Sequence, residues 1–351
     1  MSNNISEIDK NFQVQTKIEK DDIRFYDTKL DPFKVHGLFH DGKKWCRLPE
    51  EVSKTVSKAA HFLHDVTAGG RIRFKTDSPY IAINAVMHSM CKITEAAFTG
   101  SVGFDLYIDG DYQGTYIPDY NAKDGYEGIR ELGSCEMRDV EINFPIYSKV
   151  TDVYVGLSES AAVLPADPYK YERPVVYYGS SVTQGGCASR PGNTYQAFLS
   201  RMLSTDFINL GFSGNALGEP EIADYIKTLD MSAFVFDYDF NAPTAEHLNA
   251  THERMFKEIR EADPDLPIII LSKPRFYPSP SDVERKGIIR KTYENARAAG
   301  DENVYFIDGK ELMELAGNDG TIDNTHPSDL GFYSMATRIY PLLKEILEKE
   351  A

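Results

Sequence analysis

The sequence predicts a two-part α/β protein, an antiparallel β-sandwich followed by a parallel sheet flanked by helices. Three observations lead there. The chain has 351 residues, about twice the usual size of one hydrophobic core. Short alternating runs separated by turn signals fill residues 70–157. Beyond residue 170, continuous apolar runs alternate with helix-length segments instead.

Taken in order, residues 1–20 are polar, without the short apolar core of a secretion signal, and no apolar run approaches the roughly 20 residues of a bilayer span. A cytoplasmic protein that does not enter membranes is expected. One helix is predicted over 49–64. Strands follow at 71–74, 81–83, 106–108 and 153–155, with turn signals such as Asp109-Gly110-Asp111 and Asp124-Gly125 between runs, the grammar of hairpins. Residues 164–174 hold three prolines and little periodicity, as a connector does, so the domains are expected to be 1–168 and 169–351. The apolar runs at 175–178, 207–210, 233–236, 268–271 and 304–307 predict strands buried on both faces, hence a parallel sheet with right-handed crossovers. Ligands of such sheets bind beyond the strands' carboxyl ends.

Composition narrows the partners. Hydrophobic residues at 42% and charged residues at 26% are ordinary for a globular protein. A net charge of −16 repels phosphate backbones and acidic membrane surfaces, so no nucleic acid is expected and an uncharged small molecule fits better. The sequence leaves a homo-oligomer open. Four scattered cysteines without a CxxC pair predict reduced thiols rather than a zinc knuckle or disulfide framework.

Chemistry is sought at the strand ends. The first run leads into Gly179-Ser180-Ser181-Val182-Thr183-Gln184-Gly185, a sharp strand-to-helix turn suited to a nucleophilic serine, or to serines that merely cap the helix. The second leads into Gly211-Phe212-Ser213-Gly214-Asn215, where an exposed NH could face an oxyanion. The third reaches Asn241. Near the C-terminus stands Asp323-Asn324-Thr325-His326-Pro327, in which a carboxylate three residues before a histidine can orient it. The second half holds only two other histidines, His247 and His252, both inside an apparent helix, so His326 alone is placed for the chemistry.

These blocks, in this order, resemble the SGNH/GDSL hydrolase family over about 175–347. The resemblance implies a three-layer α/β/α hydrolase fold and a serine esterase or acylhydrolase without metal or cofactor. It implies that Ser181 is the nucleophile, that Asp323 orients the base His326, and that Ser181 NH, Gly214 NH and the Asn241 amide form an oxyanion hole. Ser180 stands where most of the family has Asp, which bears on a neighbouring hydrogen bond. Gly103-Phe104-Asp105-Leu106-Tyr107 matches the Gly-x-Asp-Leu-Tyr signature of a two-domain bacterial subfamily with an N-terminal, jelly-roll-like β-domain. By analogy with carbohydrate-active esterases, the expected substrate is a short-chain, preferably acetyl, ester of a saccharide or other small molecule. The rivals are an acyltransferase at the same site and a silent carbohydrate-binding protein on a hydrolase frame.

Other candidates are set aside. His252-Glu253 lacks a second histidine four residues after the first, where Phe256 stands, so no metal is expected. Gly185-Gly186 lacks the spacing of a phosphate loop. Asp237 and Asp239 are read as one structural carboxylate and one rim residue rather than a glycosidase pair. Cys187 is expected to pack, Tyr177 and Tyr178 to be core, while Arg275 is either a substrate contact or a solvated charge and Trp45 lies in the sandwich core or between domains.

Overall fold

Hairpin grammar in the first half yields strands β1 (Ile23–Asp27), β2 (Lys34–His36), β3 (Phe39–His40), β4 (Trp45–Cys46), β5 (Arg71–Thr76), β6 (Tyr80–Ser89), β7 (Phe104–Ile108), β8 (Asp111–Tyr116), β9 (Gly125–Glu131), β10 (Arg138–Asn143), β11 (Lys149–Ser158) and β12 (Val163–Leu164). The computed structural model describes residues 14–350, so most of the stretch read for a secretion signal lies outside the described residues. All pairings among these strands are antiparallel, in sheets ordered β1-β11-β6-β9 and β12-β5-β10-β7-β8, with β2 also on β5 and a small β3-β4 pair. Ile81, Ile83 and Val155 of one sheet meet Ile72, Phe74, Leu106 and Ile142 of the other in one core, which makes this region a sandwich. Trp45 joins that core edge-on to Phe144, which resolves its place.

The helix expected over 49–64 is two helices, α1 (Glu50–Val56) and α2 (Lys58–Leu63). Ser57 between them is extended, and its side chain accepts from the Ala60 amide at 3.0 Å. A serine that caps a new helix ends the old one. A short helix α3 (Phe98–Ser101) precedes β7.

The second half adds β13 (Tyr171–Gly179), β14 (Thr205–Gly211), β15 (Ala233–Asp237), β16 (Ile268–Leu271) and β17 (Val304–Ile307), a parallel sheet ordered β14-β13-β15-β16-β17. Residues 171–174, read as connector, belong to β13. Pro174 lacks an NH, and the pairing with β14 shifts between Tyr171 and Val175. The helices are α4 (Ser181–Gln184), α5 (Tyr195–Leu203), α6 (Pro220–Ile226), α7 (Ala245–Ala262), α8 (Pro280–Ala298), α9 (Gly309–Leu312) and α10 (Asp329–Glu350). Alternate residues of each strand enter different cores: Val175, Tyr177, Val235 and Ile269 face α5 and α10, whereas Val176, Tyr178, Phe234 and Ile270 face α6, α7 and α8. Burial on both faces is the reason the strands read as unbroken apolar runs. None of the helices among the described residues is long and apolar enough to cross a membrane.

Polar anchors join the halves. Arg47, 1% exposed, donates from Nε to Val66 O at 2.7 Å and from Nη2 to Leu63 O at 2.9 Å, while its Nη1 reaches Gly211 O at the end of β14 at 2.7 Å. Burial pushes this guanidinium down to about 10. Arg71 of β5, also buried, donates to Asp206 of β14, which His36 meets at 2.7 Å. Leu48, Leu63 and Val66 complete the core under α6 and α7.

Candidate active site

The turn after β13 is built by small residues because nothing larger fits. A Cβ on Gly179 would stand 2.2 Å from Thr183 Oγ1 and 2.3 Å from Asp237 O. Ser180 is the N-cap of α4, its Oγ accepting from the Val182 amide at 3.2 Å, so the capping reading holds for Ser180. Ser181 is the first helical residue, where a backbone NH has no partner within the helix. The residue is 7% exposed, and its Oγ lies 3.0 Å from His326 Nε2. Thr183 Oγ1 donates to Asp237 Oδ2 at 2.8 Å, fixing the helix to β15. Burial pushes the Asp237 carboxyl up to about 7, against the hydroxyls of Thr183 and Tyr195.

His326 sits in the loop before α10. Asp323 folds this loop on itself, its Oδ1 accepting from the amides of Thr325 at 2.9 Å and His326 at 2.7 Å. Asp323 Oδ2 lies 2.7 Å from His326 Nδ1. Asn324 takes a left-handed φ of 63°, a conformation asparagine tolerates well. Partial burial opposes ionisation of Asp323, but the His326 amide and ring, with the Thr325 amide, hold its carboxyl below the ordinary value. An ionised carboxylate can only accept, so Nδ1 carries the ring proton and Nε2 offers its lone pair to Ser181 Oγ. This arrangement can take a proton from the serine and return it.

The glycine loop lies beside this pair. Gly214 has a φ of +72° and open space where a Cβ would stand, so conformation rather than crowding calls for glycine. Ser213 NH donates to the fully buried Gln184 Oε1 at 3.0 Å, which ties the loop to the nucleophile helix. Asn241 accepts from the Ala216 amide at 3.2 Å through Oδ1, which fixes the amide plane and leaves Nδ2 as a donor. The five residues singled out in the sequence thus lie on the first turn of α4 and on loops tied to one another at the carboxyl end of the sheet.

Two contributors were not visible in the sequence. Gln184 also donates to Ile146 O of the sandwich at 3.3 Å, and Tyr147 Oη stands 3.4 Å from Ser213 Oγ. Tyr147 carries no motif, Gln184 stood in the nucleophile turn with no role of its own, and both act across long sequence separations. Other expectations need correction or resolution. Asp239 is not at the rim: it is 1% exposed, with Arg285 Nε at 3.4 Å and the Lys273 amide donating at 3.3 Å. Arg275 is neither solvated nor free, since its Nε lies 3.7 Å from Asp282 on α8. Cys187 is half-buried, and burial followed by the charges of Asp323 and Glu95 pushes its thiol up to about 11, an unactivated state. His252 is fully buried against Phe236, with Thr292 Oγ1 2.8 Å from its Nδ1. Tyr177 and Tyr178 are core residues.

Comparison with known proteins agrees with this fold. Residues 172–344 match the GDSL-like lipase/acylhydrolase family, and residues 23–163 match the N-terminus of SGNH hydrolase-type esterases. No curated protein sequence matches the chain. Among solved structures, a protein of Bacteroides ovatus described as a GDSL-like lipase is 29% identical, with 93% of this chain and 98% of that one covered and a TM-score of 0.83. A salicylyl-acyltransferase of a tetracycline biosynthetic pathway is 20% identical over 93% of this chain and 98% of its own, at a TM-score of 0.76. A family two carbohydrate esterase of Clostridium thermocellum, solved with cellohexaose, is 14% identical over 90% of this chain and 99% of its own, at a TM-score of 0.62. The last two share the fold. The strand-end serine, the glycine and asparagine loops and the Asp-x-x-His turn all lie within residues 172–344, and this match, with the matching SGNH-type N-terminus over residues 23–163, makes the chain a member of the SGNH/GDSL family of ester hydrolases.

Proposed function

We propose that the chain is a serine esterase that removes short acyl groups, acetyl above all, from a saccharide or similar polyol. The observation that carries this is the continuous link from Asp323 through His326 to Ser181, at 2.7 and 3.0 Å. Ser181 Oγ attacks the ester carbonyl as its proton passes to His326 Nε2, and Ser181 NH, Gly214 NH and Asn241 Nδ2 receive the oxyanion. The bond to the alcohol then breaks, and His326 gives that alcohol the proton. Water repeats the sequence on the acyl-serine, releasing the acid and restoring Ser181. No cofactor enters this reading.

Two features support a short acyl group on a neutral alcohol. A Cβ on Gly186 would lie 2.6 Å from Tyr147 Oη and 3.4 Å from Ser181 Cβ, so the tyrosine tip and the nucleophile share a small space. The net charge of −16 disfavours anionic substrates. The same fold serves carbohydrate esterases, including an acetyl xylan esterase of Butyrivibrio proteoclasticus. An acyltransferase is the second reading, favoured by the salicylyl-acyltransferase of like fold. A panel of acetylated, propionylated and longer acylated saccharides, with and without an acceptor sugar, tests both. Free acetate from an acetylated sugar is the expected product. Acyl transfer to the acceptor in place of acid release favours the second reading, and turnover of no ester, with no labelling of Ser181 by a phosphonate, overturns both.

A further inference from the structure

The Gly-x-Asp-Leu-Tyr signature lies in the sandwich, away from Ser181 in sequence, and the site described so far gives it no task. Leu106 is simply core. Asp105 is different: it is fully buried and points out of the sandwich, its Oδ2 accepting from the Gly192 amide at 2.8 Å and from Arg190 Nη1 at 3.1 Å. Tyr107 accepts from the same Arg190 nitrogen. A Cβ on Gly103 would stand 2.3 Å from Thr99 O, and Thr99 in turn donates from Oγ1 to Ser189 O. Every polar residue of the signature therefore bears on residues 189–193, the loop that continues the nucleophile helix α4.

The other side of that loop holds the histidine. Asp329, the first residue of α10, accepts from the Ser189 amide at 2.8 Å, from Ser189 Oγ, and from Asn193 Nδ2 at 2.8 Å. It stands three residues after His326. The exposed His326 loop is otherwise closed by its own bonds, Ile322 NH to His326 O at 3.0 Å and Ser328 NH to Gly320 O at 2.8 Å. Those bonds shape the loop without locating it against Ser181.

We infer that Asp105 and Asp329 are positioning residues for His326: the signature fixes residues 189–193, and these fix Asp329 and hence the distance between base and nucleophile. The inference rests on the reading of His326 as the base. Misplacement of a reacting group by about 1 Å costs on the order of 10²-fold in rate, so a clamp of this kind acts on turnover. Its loss leaves the substrate's binding surface in place.

The test uses the full chain with an aryl acetate, measuring kcat, KM and melting temperature for Asp105→Asn, Asp329→Asn and the double variant. Asp206→Asn serves as control, since it breaks the Arg71 and His36 contacts between the same two regions at the opposite end of the sheet. Asp329→Asn is expected to lower kcat by about ten- to a hundredfold with KM within about twofold. Asp105→Asn should give a smaller loss of the same kind, and the double variant should be no worse than Asp329→Asn alone, as for two links of one chain. Asp206→Asn should lower the melting temperature and keep kcat. If either single variant does not fold, Ser189→Ala, which removes one hydroxyl from Asp329, replaces it. Loss of melting temperature with kcat unchanged in the folded variants overturns the inference. His326→Ala, run alongside, separates the premise: full activity there removes the base itself, whereas an inactive His326→Ala beside unaffected Asp105→Asn and Asp329→Asn removes only the clamp.

Discussion

Ser181 and His326 meet at one hydrogen bond, yet the regions that present them are held by different means. Ser180, Ser181, Thr183 and Gln184 are all buried, and contacts from β15, the glycine loop and the sandwich converge on that short helix. The side chains of His326 and Asp323 are 27% and 34% exposed, on a loop shaped by the Asp323 carboxylate. Close packing with buried hydrogen bonds fixes the first region, and partly exposed hydrogen bonds alone shape the second. A group held by packing tolerates little change of volume. One held by hydrogen bonds answers to charge and pH, and the base, which must gain and lose a proton, belongs to the region where that is feasible.

The contrast is broken most sharply by exchanging the two adjacent serines. Ser181→Ala should abolish hydrolysis of an aryl acetate with the fold intact. Ser180→Ala should keep a substantial rate and lose about 1 kcal/mol of stability, the usual effect of removing a helix cap. Survival of activity in the first and its loss in the second would reassign the nucleophile. Next in size is Asn241→Ala, expected to lower kcat by roughly 10² to 10³ with little change in KM. An unchanged kcat removes Asn241 from the oxyanion hole.

The smallest effect belongs to the exposed loop. Asp323→Asn should lower kcat by roughly tenfold, since a carboxylate at this exposure is partly screened. An unchanged kcat removes the Asp323 carboxylate from the orientation of His326, whose Nδ1 it meets at 2.7 Å.

The two regions also differed in how well they could be read from the sequence. The parallel strands were legible because burial on both faces leaves an uninterrupted apolar signal, and the strands at 268–271 and 304–307 have the expected bounds. Ser181, Gly214, Asn241 and His326 could be singled out as candidates because each follows such a strand or stands in a local motif. β1 to β4 gave no such signal; three of them have three residues or fewer. Asp239 was misplaced because its cover comes from Arg285 and the Lys273 amide, more than thirty residues away, whose approach no local spacing encodes. Gln184, Tyr147, Asp105 and Asp329 take their meaning from partners tens of residues away, and no local spacing encodes such contacts.

Arg47 carries a thermodynamic consequence. Its guanidinium is shared, with two carbonyls of residues 63–66 on one side and oxygens of Asn209 and Gly211 at the end of β14 on the other, and among the described residues no carboxylate is hydrogen-bonded to it. If the sandwich detached from the sheet, the cation would lose Gly211 O and the Asn209 oxygens, and Leu48, Leu63 and Val66 would leave the core under α6 and α7. Water would solvate the freed charge, but not the apolar surface exposed with it. Partial unfolding that releases only one half is therefore penalised at the seam, and the chain should melt in a single cooperative transition rather than two.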